Sequence, residues 1–244
     1  MKMKILGLLT LCIAGLLCIT NVHAQTVDEI ISKYINALGG INKIKGITSI
    51  YKESDIELNG NTATAVTYIL NNKAYKMEMN FNGAQIIQCV TKSGGWQINP
   101  MMGKTSAEPF PEDQVRAAQE QLAVEGPLVD YAKKGSTVQL LGKENVNGSN
   151  AYKLKVTTKE KVELTLYIDA VTYHITKVES KALVSGQVMQ TSTTFSNYVK
   201  TDYGYVIPFT EELVLPQGTI MLMNDKKVEI NKHIDPAIFE MPHN

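Results

Sequence analysis

The chain has 244 residues, with 24 Lys or Arg balanced by 24 Asp or Glu, and 44% of its residues are hydrophobic. That balance excludes a dedicated nucleic-acid binder, which carries a basic excess toward phosphate, and the apolar share excludes a disordered chain. Three cysteines cannot build a disulfide framework, and the length suits one large β domain.

The first 24 residues read as a removable export signal. Lys2 and Lys4 form a positive start, Ile5 to Ile19 is an uncharged apolar run, and Val22-His23-Ala24 ahead of Gln25 is an A-x-A-like cleavage site. The run falls short of the roughly 20 residues that span a bilayer, which favours cleavage over anchoring. Cys12 and Cys18 lie within it, but Leu11 and Leu17 stand where acylation requires a small residue. Soluble release into the periplasm is therefore expected over lipid anchoring. Residues 25–244 then form a single domain with two more acidic than basic groups and one cysteine, Cys89, read as a small buried hydrophobe.

The mature part opens on a helix. Thr26 and Glu29 make a capping box, and Val27, Ile30, Ile31, Tyr34, Ile35 and Leu38 recur with helical spacing up to Gly39-Gly40. Strands follow near 47 to 58, 62 to 70, 73 to 81 and 84 to 92, separated by Asn59-Gly60-Asn61, Asn71-Asn72 and Asn82-Gly83, residues that tolerate positive φ. A second β series covers 137 to 144, 151 to 158, 162 to 169, 173 to 185, 188 to 200, 205 to 215 and 219 to 231. In it Asn147-Gly148-Ser149 matches a glycosylation sequon but reads better as a turn. Between the two series, Pro111 with Glu112 and Asp113 starts a helix with Val115, Ala118 and Leu122 on one stripe. A second short helix over 128 to 134 would end at Gly135.

These elements define a mainly β protein with helices (α+β): about eleven antiparallel strands in a strongly curved sheet or unclosed β-barrel, with an N-terminal helix. The helical insertion at about 111 to 134 has one place to go, across the open face as a lid. Alternation makes the sheet one-sided. Tyr75, Met77, Met79 and Phe81 share one face and Lys76, Glu78 and Asn80 the other; Val162, Leu164, Leu166 and Ile168 alternate with polar neighbours in the same way.

Catalytic signatures are missing. No H-E-x-x-H, P-loop, G-x-S-x-G, C-x-x-C or G-x-G-x-x-G occurs, and His174, His233 and His243 have no metal-ligand spacing, so no enzyme, metal or cofactor is expected. Glu211 and Glu212 are adjacent on a strand and point to opposite faces, which reads as solvated charge. Methionine is the informative residue. Met77, Met79, Met101, Met102, Met189, Met221, Met223 and Met241 fall largely on strands, where they either fill a core or line a cavity that accepts varied apolar shapes.

Several segments resemble the periplasmic lipoprotein-sorting proteins of the LolA and LolB type, in particular their divergent Bacteroidetes relatives. They are Gly95-Trp96-Gln97-Ile98-Asn99-Pro100, Gly126-Pro127-Leu128-Val129-Asp130-Tyr131, Tyr167-Ile168-Asp169 with Thr172-Tyr173 and Lys177, and Ile234-Asp235-Pro236 with Phe239-Glu240-Met241-Pro242. The resemblance implies an unclosed β-barrel with a helical lid over a hydrophobic cavity that carries an acyl chain of a lipoprotein or lipid toward the outer membrane. In the well-studied carrier an arginine on an early strand ties down the lid, whereas here the single arginine, Arg116, lies in the predicted lid itself. The expected hydrophobic-ligand residues are Tyr75, Met77, Met79, Phe81, Trp96, Met101, Met102, Leu128 and Tyr131. Two partner readings stand side by side: acyl-chain carriage with peripheral membrane contact, or docking of an envelope protein on the same scaffold without lipid transport.

Overall fold

A computed structural model describes residues 25–184, 186–215 and 218–242; the export segment with Cys12 and Cys18 lies outside them. Helix α1, Val27–Ala37, carries the expected capping box: Thr26 Oγ1 accepts from the Glu29 N–H at 3.2 Å, and Glu29 Oε2 accepts from the Thr26 N–H at 3.0 Å. Its apolar stripe puts Ile30, Ile31 and Tyr34 into the core. A short helix α2, Ile41–Lys45, follows and buries Ile44.

Six strands then run to the middle of the chain: β1 Ser49–Leu58, β2 Asn61–Leu70, β3 Ala74–Phe81, β4 Ala84–Thr91, β5 Gly95–Asn99 and β6 Lys104–Pro109. Helix α3, Glu112–Ala118, continues as a 3-10 turn over Gln119–Leu122. Seven more strands follow: β7 Thr137–Val146, β8 Ser149–Thr157, β9 Glu163–Asp169, β10 Ile175–Val184, β11 Gln187–Lys200, β12 Val206–Val214 and β13 Ile220–Ile230, and after them a 3-10 turn over Pro236–Phe239. The expected turn asparagines Asn59, Asn72, Asn82 and Asn147 all adopt positive φ, from 50° to 58°.

All thirteen strands join one antiparallel sheet in the order β6-β5-β4-β3-β2-β1-β13-β12-β11-β10-β9-β8-β7. The first and last strands pair at its centre, with Ile50 opposite Ile230 and Ile56 opposite Met223. The two strands adjacent to the mid-chain insertion, β6 and β7, are therefore the two free edges. The segment joining them must cross from one edge to the other, and α3 does so by packing on β4 and β10. The result is an unclosed β-barrel bridged by its own insertion.

Beyond the sequence reading, the fold adds the short helix α2 and covers the outer face of β3 to β5 with an apolar cluster around Cys89, Trp96 and Phe239; it differs from that reading in two further places. Two strands, β5 and β6, went unread, because each is short and the Pro100–Met102 turn between them breaks the alternation. Residues 128–134 form successive turns in place of a helix: Asp130 takes φ 51°, and its carboxylate is held by Lys45 at 2.6 Å and Lys133 at 3.1 Å. The lid is thus helical only as far as Leu122.

Helix α1 packs along the inner face of the β8–β10 half. There Ile30, Ile31, Tyr34 and Leu38 join Tyr152, Leu154, Val156, Leu164, Leu166 and Ile168 in the main core. The C-terminal end of α1 is locked by the first residue of β12, where the Val206 N–H donates to the Leu38 carbonyl at 3.1 Å. Gly39 sits at this contact with φ 107°, and a Cβ there would lie 2.5 Å from the Gly204 carbonyl oxygen. Gly39→Ala is expected to cost about 1–3 kcal/mol through the left-handed backbone and the clash, read as a lower urea midpoint at unchanged slope.

Candidate ligand-binding cavity

The helix fills only part of the concave face. Beside it, under residues 121–127, the barrel keeps a cavity of about 460 Å³, inside the roughly 300–1,000 Å³ range of small-molecule sites. Tyr34 and Leu38 of α1 form one wall, Ile50 and Ile69 of β1 and β2 another, and Leu164, Leu166, Val178 and Phe195 the facing sheet. Ala123, Val124, Gly126 and Pro127 of the insertion make the roof. The roof is anchored by Asn71, whose side-chain oxygen accepts from the Val124 N–H at 3.1 Å, and by the Asn72 N–H, which donates to the Leu122 carbonyl at 2.7 Å. Glu125 of the roof pairs with Lys134 at 3.1 Å; although burial opposes it, local hydrogen bonding and Lys134 hold its carboxyl below the usual range.

One wall is charged. Lys52 of β1 is 9% exposed, and its Nζ lies 3.0 Å from Glu211 Oε1 of β12. The same Nζ sits 2.6 Å from Asp225 Oδ2 of β13, off the direction of a good hydrogen bond, so charge joins this second pair. Ser54 Oγ donates to Asp225 Oδ1 at 2.6 Å. Burial opposes the lysine charge, yet Glu211 and Asp225 together hold its pKa above the ordinary lysine value. Burial also pushes the Asp225 carboxyl up, against the pull of Lys52. The triad ties together the three strands where the chain's first and last strands meet. Tyr75 lies within electrostatic reach of it, and burial pushes its phenol to about 12.

Glu211 is thus a correction to the sequence reading: it is a cavity residue paired with a buried lysine, while its neighbour Glu212 is the exposed one. The signal was present in β1, where Lys52 and Ser54 interrupt an otherwise apolar inward phase running from Ile50 to Ile56. A charge in the inward phase of a strand needs a buried partner. Lys52 is also the early-strand cation that the arginine count missed, but its partners are strand carboxylates. Arg116 in α3 pairs locally with Glu112 at 3.4 Å.

The structure distributes the expected ligand residues over several places. Tyr75, Met77, Met79 and Phe81 face inward as read; Met79 and Phe81 are buried with Ile56, Ala63 and Ala65, and Met77, Met221 and Met223 pack beside them, farther along the inner face than the cavity. Leu128 is buried in the main core and Tyr131 packs against it, its hydroxyl donating to Asp28 at 3.1 Å. Trp96 lies on the other side of the sheet, opposite Cys89 and beneath the C-terminal segment, where its Nε1–H donates to the Phe239 carbonyl at 3.0 Å. Met101 and Met102 are 61% and 69% exposed at the tip joining β5 to β6. None of these nine lines the 460 Å³ cavity. The aromatic residues that do, Tyr34, Phe195, Tyr198 and Tyr205, come from three separate segments: α1, β11 and the loop before β12.

Among the described residues, no group of three or more His, Cys, Asp or Glu is placed to hold a metal ion, and no helix is long and apolar enough to cross a membrane.

An unclosed antiparallel barrel with a bridging insertion over an inner cavity is the LolA-like fold. The chain is similar to a DUF1329 family protein from Desulfovibrio piger, at TM-score 0.58 and 15% identity, over 89% of this chain and 98% of that one. It is similar to a LolA superfamily protein from Nitrosomonas europaea at TM-score 0.57 and 13% identity, over 89% and 98%. A domain from Vibrio parahaemolyticus assigned to outer membrane lipoprotein sorting matches at TM-score 0.54 and 16% identity, over 81% and 92%. No protein-family profile matches the sequence, and no curated protein matches it either.

Proposed function

We propose that this protein is a periplasmic carrier that binds the acyl chain of a lipoprotein or lipid in the cavity beneath residues 121–127, without catalysing a reaction. The observation that carries this reading is the cavity itself: apolar walls from α1 and both halves of the sheet, closed above by a segment anchored through a few hydrogen bonds. Burying each methylene contributes roughly 0.8 kcal/mol before ordering costs, so one chain supplies useful affinity. The inward row of Tyr75, Met77, Met79 and Phe81, with Met221 and Met223, continues the path for a longer chain, and Leu128 and Tyr131 back the wall. The expected export signal and the likeness to lipoprotein-sorting folds support an envelope location for the carrier.

The test is native mass spectrometry of protein purified from the periplasm, followed by delipidation and rebinding. Bound lipid, or rebinding of an acylated peptide, supports the proposal. Protein that arrives without lipid and binds no acyl compound afterward overturns it, and a stoichiometric protein partner on an empty cavity would replace it with the docking reading.

A further inference from the structure

The cavity is apolar by area but not in its chemistry. Tyr34 and Tyr205 are each 6% exposed, and both line it. The Tyr34 hydroxyl lies beneath the roof, 3.9 Å from where a Cβ on Gly126 would stand. Neither hydroxyl has a hydrogen-bond partner among the described residues, in contrast to the neighbouring Tyr198, whose hydroxyl donates to the Ile175 carbonyl at 2.6 Å. Both hydroxyls open onto the cavity and are not sealed inside the protein, so each is free to donate to an acceptor on a ligand that enters it.

The charged wall completes the pattern. Lys52 and Glu211 are the charged residues lining the cavity, and the Lys52 ammonium is already held between two carboxylates. No unpaired cation therefore faces the ligand among the described lining residues. Glu211 reaches Lys52 through Oε1, while its Oε2 has no partner among the described residues and can accept a hydrogen bond from a ligand O–H or N–H. An anionic head would meet this carboxylate with nothing to neutralise it. A neutral head that both accepts and donates would meet two hydroxyl donors and one acceptor.

We propose that the cavity holds a polar subsite, made by the Tyr34 and Tyr205 hydroxyls and the Glu211 carboxylate, which selects amphiphiles with an uncharged ester, amide or hydroxyl head over free fatty-acid anions. The proposal rests on the carrier reading and narrows it. The shared chemistry occurs both in N-acylated peptides and in glycerolipids, and the probes separate the two.

The experiment is isothermal titration calorimetry of the delipidated protein with dodecanoate, N-dodecanoylglycinamide and monododecanoylglycerol, at a mildly alkaline pH where dodecanoate is ionised. At least one neutral amphiphile is expected to bind about tenfold or more tightly than dodecanoate, a ratio that corresponds to about 1.4 kcal/mol. The tighter of the two neutral compounds identifies the source as peptide-linked or glycerol-linked. In the Tyr34→Phe/Tyr205→Phe variant, which keeps the ring shapes, that ratio is expected to fall to within about twofold of unity. Dodecanoate binding as tightly as both neutral compounds, or a ratio unchanged in the variant, overturns the subsite while the carrier reading stands. The head-group ratio of the unmodified protein tests the subsite even if the variant misfolds. If no chain of any head group binds, the carrier reading falls and the subsite falls with it.

Discussion

Replacing Lys52 with methionine is expected to lower the stability of the fold by about 3–5 kcal/mol, because it leaves the Glu211 and Asp225 carboxylates on an inner wall with no counter-charge. The loss has a pH signature. Without the lysine the Asp225 carboxyl, which burial already pushes up, resists ionisation in the folded state, so the folded chain holds a proton that the unfolded one releases and stability rises as the pH falls. Urea unfolding of Lys52→Met should therefore show a midpoint that recovers on mild acidification. Adding Glu211→Gln and Asp225→Asn should restore most of the loss at neutral pH, since the cost lies in the unpaired charges. A neutral-pH loss below about 1 kcal/mol would mean that the triad is solvated and that the wall is open.

The unmodified protein has the opposite limit, at alkaline pH. Lys52 is held above its ordinary value of 10.5, and burial raises Tyr75 and Tyr205 from 10.0 to about 12. Each raised value means that the folded state keeps protons which the unfolded state releases first. Their contribution is complete below pH 10 and is lost as the pH climbs through the folded values. The part of the tyrosinate absorbance that Tyr75 and Tyr205 contribute should rise together with loss of circular dichroism, in one cooperative step above pH 10 that follows the earlier ionisation of Tyr173. Gradual titration with the fold intact would contradict the burial of these groups.

Filling the cavity should separate binding from folding. Val178→Trp, alone or with Ala123→Trp in the roof, places an indole in space lined by Leu166, Phe195 and Val124. Acyl-chain affinity is expected to fall at least fiftyfold, about the transfer free energy of three methylenes at roughly 0.8 kcal/mol each. The stability of the ligand-free protein should hold or rise by about 0.5–2 kcal/mol, as cavity-filling substitutions commonly do. Calorimetry for binding and urea unfolding for stability read the two effects on one sample. Unchanged affinity would move the ligand away from this cavity, with the inward row of Met77, Met79 and Phe81 next in line.

Much of the fold was legible. The capping box of Thr26 and Glu29, the Asn-Gly turns and the period-two alternation are local signals, set by backbone sterics and by which face of a strand is dry, and they returned α1 and eleven of the thirteen strands. The two unread strands are those with the least local signal, five and six residues long around Pro100. Residues 128–134 carry the spacing of a helix, but Asp130 is drawn into a left-handed turn by Lys45 and Lys133, and Lys45 lies 85 positions away along the chain. Periodicity cannot register a partner at that distance.

The cavity was less legible than the barrel around it. Alternation states which side chains face inward, and it was right for Tyr75, Met77, Met79 and Phe81. It does not state which inward positions the protein's own helix covers. That depends on α1 packing on the β8–β10 half and on an insertion that must bridge two sheet edges, so the open space falls between Tyr34, Ile50, Leu166 and Tyr205. Sequence alone determined a strongly curved antiparallel sheet with an insertion at its midpoint, because those properties follow from local propensity and period; the sheet is not one-sided throughout, since the outer face of β3 to β5 buries Cys89 and Trp96 under Phe239. Only the tertiary structure decided where that sheet stays hollow and that Lys52, Glu211 and Asp225 meet on its wall, because both depend on the pairing of the first strand with the last.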